Sequence, residues 1–149
     1  MAISMSAPAT SPSLQLDTPT AFAAIAVAAV AWDGVLTMAG TRALRHCLDY
    51  RQPYRELKDG EMMDLMQRLL AMLRQRGSQQ LIVQAAAVLS PGQRTTAYAA
   101  ASEIMRSDGP LEPDERNILR NLASCLELTE SDTAPVQAVM DMLHADLET

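Results

Sequence analysis

Five carboxylates crowd into thirteen residues of this 149-residue chain: Glu103, Asp108, Glu112, Asp114 and Glu115, with Arg106 the only base among them. Crowded carboxylates repel one another. A hard divalent cation such as calcium, magnesium or manganese, which takes oxygen ligands, relieves that repulsion. Within the cluster, Asp108-Gly109-Pro110-Leu111 and Glu115 have the spacing Asp-Gly-x-Leu-x-x-x-Glu. That is the second half of an EF-hand loop, in which the Asp and the final Glu ligate calcium and the Gly makes the sharp turn. Ile104 and Arg106 stand where the first-half carboxylates belong, which excludes a complete EF-hand. Folding alone also accounts for these residues. Asp-Gly is a turn pair, Asp114 and Glu115 suit a helix N-terminus, and Leu111 suits a core plug between two helices.

The same pattern occurs 75 residues earlier, where Asp33, Gly34, Leu36, Leu44 and Arg45 match Asp108, Gly109, Leu111, Leu119 and Arg120. In each copy an alanine-rich helix runs into the Asp-Gly turn and a second helix follows. The first copy is poor in acids: Thr37, Ala39 and Gly40 replace Glu112, Asp114 and Glu115. Asp33 is its one remaining oxygen ligand. A pseudo-two-fold packing of the copies would bring Asp33 near Asp108.

These loops need helices to hold them. Residues 1–17, rich in Ser, Pro, Ala and Thr, read as a disordered tail before one domain, 18–149. The first helix is expected from Thr18-Pro19, with Thr18 as cap, to about Ala31. The second runs from Thr37 to Asp49, and the third from Asp59 to Gly77 with Met62, Leu65, Met66, Leu69 and Leu73 as its apolar stripe. Ser78 is the expected cap of the fourth, and Ser90-Pro91 starts the fifth, which ends near Met105. Glu112-Pro113 starts the sixth, and the last begins between Thr129 and Ala134. No strand pattern appears, so the fold class is all-α, with about seven helices in one compact domain.

Composition narrows the function. The net charge is −6, and residues 96–149 hold three Arg against eleven acids. Nucleic-acid binding needs a basic face and stacking aromatics, so nucleic acid is excluded as a partner, whereas a cation or a basic protein fits. The apolar run 21–31 is too short for the roughly 20 residues of a membrane span, and no base precedes it as in a leader; a buried core helix is expected. Cys47 and Cys125 lack zinc-site spacing and read as small hydrophobes with reduced thiols, which suits the cytoplasm. His46 and His144 have no nucleophile partner, and the chain has neither a Gly-rich phosphate loop nor a Ser elbow. Enzymatic activity is therefore not expected. Beside cation binding stands a second reading: a helical protein-interaction module without metal, using the Met-rich third helix or the acidic C-terminal third.

Several segments resemble the tellurite-resistance TerB-like proteins. They are Ala31-Trp32-Asp33-Gly34 with the helix before it, Leu65–Leu70, Ala86–Pro91 and, most fully, Ala99–Glu115. The resemblance covers about residues 18–146. It implies an all-helical fold of two related halves, divalent-metal binding through acidic residues, a link to stress or tellurite resistance, and no catalysis. By that matching, Asp33, Asp108, Glu112 and Glu115 inherit the metal-site role, while Gly40 departs from it. Tellurite is itself an anion that an acidic loop repels, so the family label does not make tellurite the ligand.

Overall fold

The alanine-rich segment Thr18–Val30 forms α1, the first of seven α-helices among the residues described in a computed structural model, 16–148. The others are α2 (Met38–Asp49), α3 (Asp59–Arg76), α4 (Ser78–Ala86), α5 (Pro91–Met105), α6 (Pro113–Cys125) and α7 (Glu130–Leu143). Single 3-10 turns lie at Tyr54–Glu56 and Arg106–Asp108, and no strand occurs among the described residues. The domain is all-α, as the periodicity predicts.

Every residue of α1 from Ala21 to Ala29 is buried. A helix that is apolar all round must be enclosed on all sides, and α1 packs against α2, α3, α4, α5 and α6. Alanine makes this possible, because a side chain of one carbon lets neighbouring helices approach from several directions. No helix among the described residues is long and apolar enough to cross a membrane. The remaining core comes from single stripes: Leu44, Leu48, Met62, Met66, Leu69, Leu81, Ile82, Leu122 and Leu126. Met62 and Met66 are core residues, Met72 is half-buried and Met63 is exposed, so the methionine run of α3 serves mainly to fill space. Cys47 is buried and Cys125 half-buried, and both are free thiols.

Two expectations at helix starts are corrected. Asp17 rather than Thr18 caps α1, its Oδ1 accepting from the Thr20 amide at 2.9 Å. Leu16 is buried against the core, so these two residues, assigned to the tail, belong to the helix start; the expected disorder of 1–15 lies outside the described residues. A carboxylate beats a hydroxyl here because it accepts more strongly and meets the positive end of the helix dipole. At α4, the positive φ of Gly77 (85°) sets the cap position, and Ser78 falls inside the first turn. Its hydroxyl donates instead to the Trp32 carbonyl, at 2.7 Å.

The hydrogen bond from Thr20 holds the Asp17 carboxyl below its usual pKa. A lowered carboxyl pKa contributes stability that is complete above the unfolded value and lost as pH falls through the folded one. Asp17→Ala is therefore expected to cost about 1 kcal/mol at neutral pH and almost nothing once the carboxyl is protonated in acid. Urea denaturation at both pH values checks this; an equal cost in acid would refute it.

The last helix is held differently from the others. Of its residues only Met140 is buried, and its grip on α5 is polar. Arg106 donates to Gln137 at 2.9 Å and pairs with Asp141 at 2.8 Å. Gln137 in turn donates to Tyr98 Oη and to the buried Ser102 hydroxyl, both at 3.0 Å, and His144 pairs with Glu103.

Candidate cation-binding crevice

The two Asp-Gly loops lie side by side. Helices α1 and α5 end at Val30 and Met105, and α2 and α6 start at Met38 and Pro113. Gly34 and Gly109 both have positive φ, 86° and 133°. At Gly109 the pairing of φ 133° with ψ −160° is accessible essentially only without a Cβ.

The first loop is tied to the α3–α4 corner. Arg74 Nε donates to the Gly34 carbonyl at 2.9 Å, while Ser78 takes the Trp32 carbonyl. Asp33 closes its own turn, Oδ1 accepting from the Val35 amide at 3.1 Å. These bonds occupy two backbone carbonyls that a loop-type ion site would otherwise use, and only one carboxylate oxygen of Asp33 takes part in the turn.

Between the loops runs a crevice of about 520 Å³, lined by Ala29, Val30, Trp32 and Asp33 from the first copy and by Met105, Asp114, Glu115, Asn117, Ile118 and Asn121 from the second. Its lining thus includes Asp33 of the first copy and Asp114 and Glu115 of the second. Asp33 and Asp114 are exposed and Glu115 is half-buried. Glu115 Oε1 accepts from the Glu112 amide at 2.9 Å, which closes the first turn of α6. A cleft of about 110 Å³ beside it is lined by Glu115, Gly40, Thr37 and Ser107, so the two positions equated by the 75-residue offset face the same space.

Glu112 takes a different place. It is exposed, caps α6 and lines neither crevice. The Asp108 carboxylate lies outside the described residues; its backbone ends the 3-10 turn, with the Gly109 amide donating to the Arg106 carbonyl at 3.1 Å. Asp114 belongs to the acidic cluster of the sequence but is not among the residues that the family resemblance assigns to the metal site. Its partners Asn117 and Asn121 follow at three- and four-residue steps, the spacing that puts side chains on one helix face, so this stripe was readable. The approach of Asp33 to it was not, because nothing local to either loop encodes their separation.

The donor set is carboxylate and amide oxygen, which suits a hard cation of the calcium, magnesium or manganese class. The donors stand along the crevice walls: among the described residues no three His, Cys, Asp or Glu side chains converge on one point.

No curated protein and no solved structure matches the chain. Its own sequence and architecture carry the assignment: an alanine-rich hub helix, two Asp-Gly turns and an acidic start to α6, in that order. These parts all fall within residues 19–138, which match the family described as Tellurite resistance protein TerB, and the chain belongs to that family.

Proposed function

We propose that this protein is a non-catalytic, stress-related member of the tellurite-resistance type that binds a divalent cation in the acidic crevice. The observation behind the reading is the shared crevice itself, whose lining includes Asp33 of one loop and Asp114 and Glu115 of the other copy. Glu115 and Asp33 each keep one carboxylate oxygen free of backbone partners. Asp108 joins the set through its Asp-Gly-x-Leu-x-x-x-Glu spacing. Glu112 assists by holding Glu115 through its amide. A cation drawing on both loops tethers α1–α2 to α5–α6, so binding stabilises the folded state.

Calorimetry and thermal melting with calcium, magnesium and manganese test this. At a hundredfold excess over Kd the gain is about 2.7 kcal/mol, seen as a raised Tm. Asp108→Asn with Glu115→Gln is expected to abolish the rise, Asp33→Asn to weaken it, and Glu112→Gln to leave most of it. An unchanged melting curve in millimolar amounts of all three ions would sink the proposal.

A second reading, protein interaction without metal, draws on α7 rather than α3. Val139, Met142 and Leu143 of α7 are 45%, 72% and 64% exposed, next to an acidic face, whereas the methionines of α3 mostly fill the core. Partner capture that survives chelator and disappears in Met142→Ser/Leu143→Ser would favour it.

A further inference from the structure

A second cavity, of about 300 Å³, lies away from the acidic crevice where α2, α5 and α7 meet. That volume is at the lower end of small-molecule sites. Ala43, Ala99 and Ala100 form a wall whose short side chains leave the space open, and Ile104 and Met140 add apolar surface.

One charged group there lacks a counter-ion. Arg51, just beyond the end of α2, is half-buried and stands between this cavity and a neighbouring one lined by Phe22 and Tyr54. Its Nε donates to the Cys47 carbonyl at 3.1 Å and one terminal nitrogen donates to Tyr50 Oη at 3.1 Å. The guanidinium carbon sits 5.2 Å from the Phe22 ring centroid and 5.1 Å from that of Tyr50. The head group is thus held in one orientation by two hydrogen bonds and two aromatic faces. Half-buried Arg45, Arg94 and Arg106 each pair with a carboxylate, at 3.0, 3.1 and 2.8 Å. No carboxylate among the described residues pairs with Arg51 within the same 4.0 Å limit. The Cys47 thiol also lies within hydrogen-bonding reach of the guanidinium, so its five N–H donors are only partly satisfied by the Cys47 carbonyl and thiol and by Tyr50. The single carboxylate of the lining, Glu103, is engaged by His144.

An oriented, uncompensated guanidinium beside an apolar wall has a complementary ligand. We propose that this cavity binds a small organic acid with one carboxylate on a compact apolar body. The carboxylate meets the free donors of Arg51, and the body lies against Ala43, Ala99 and Ala100. In a chain of net charge −6, Arg51 supplies the guanidinium of this lining that attracts an anion, while its one carboxylate, Glu103, is engaged by His144.

Titrating the full chain with benzoate, hexanoate and uncharged benzamide, followed by amide NMR and calorimetry, tests the assignment. Saturable binding of at least one acid is expected, with shifts at Arg51, Ala99 and Ala100, and affinity for benzamide weaker by about tenfold or more. Arg51→Met should weaken acid binding at least about tenfold; Arg51→Lys, which keeps the charge and loses the planar fork, should fall between. Ala99→Leu fills the cavity without touching Arg51 and should abolish binding, which keeps the test decisive if Arg51→Met fails to fold. Absence of saturable acid binding up to about 10 mM, equal affinity for benzamide, or unchanged binding in Ala99→Leu would each overturn the proposal.

Discussion

Ile25→Ala is expected to lower the unfolding free energy by about 2–5 kcal/mol, toward the upper part of that range. Ile25 is fully buried on the hub helix α1. Most of its near neighbours along the helix, Ala21, Ala24, Ala28 and Ala29, are buried alanines, with Phe22 the large exception, and an alanine has no torsion with which to swing into a vacated space. The cost of a large-to-small change grows with the cavity that remains, so a site rimmed by alanines relaxes poorly. Urea denaturation provides the measurement, with Ile118→Ala on half-buried α6 as a smaller reference. A loss under about 1 kcal/mol would mean that the hub repacks and that α1 is not the rigid centre its burial implies.

Gly40→Glu is expected to destabilise the protein by about 2–4 kcal/mol, from overpacking and a weakened cap together. By the 75-residue offset this substitution supplies the carboxylate that the first copy lacks, which would make the two copies alike. The local geometry opposes it. A Cβ at Gly40 would stand 3.0 Å from Val30 Cγ2, 3.2 Å from Thr37 Oγ1 and 3.4 Å from Leu36 Cδ1. Thr37 Oγ1 is also the acceptor that caps α2, taking the Gly40 amide at 3.0 Å, so the added carbon presses on the cap itself. The new carboxylate would then share a cleft of about 110 Å³ with Glu115, placing like charges together. Gly40→Ala should cost less, because half-buried Val30 can yield, and Gly40→Glu/Val30→Ala should recover part of the loss. Wild-type stability in Gly40→Glu would show that Gly40 is not a packing glycine.

The asymmetry between the loops therefore has a steric cause on one side and an open face on the other. At Gly40 any side chain would press on the Val30, Thr37 and Leu36 side chains, which must then give way. At Glu115 the matching position opens onto the crevice, where a carboxylate can extend. Sequence alone records that Gly replaces Glu, but not that contact with Val30 explains it.

Local chemistry made much of the architecture legible. Ser90-Pro91, Glu112-Pro113 and Thr37 start helices where expected, because a cap needs only its own side chain and the amide three residues on. The misplacements at Thr18 and Ser78 arose where another bond won. Asp17 outcompeted a hydroxyl, and Gly77 took the cap position while the Ser78 hydroxyl donates to the Trp32 carbonyl, 46 residues away in sequence.

By itself the sequence determined the all-α class, the hub helix, the Asp-Gly turns and the acids of the second loop, since each depends on residue type and short spacing. Tertiary structure decided which of those acids share a space. Asp33 joins Asp114 and Glu115, while Glu112 is left outside at the head of its helix. The same packing leaves Arg51 oriented without a counter-ion at the edge of an alanine-walled cavity. Such groupings depend on how closely α1, α2, α5 and α6 approach one another. That approach is set by alanine and glycine contacts between residues distant in the chain, which no local pattern encodes.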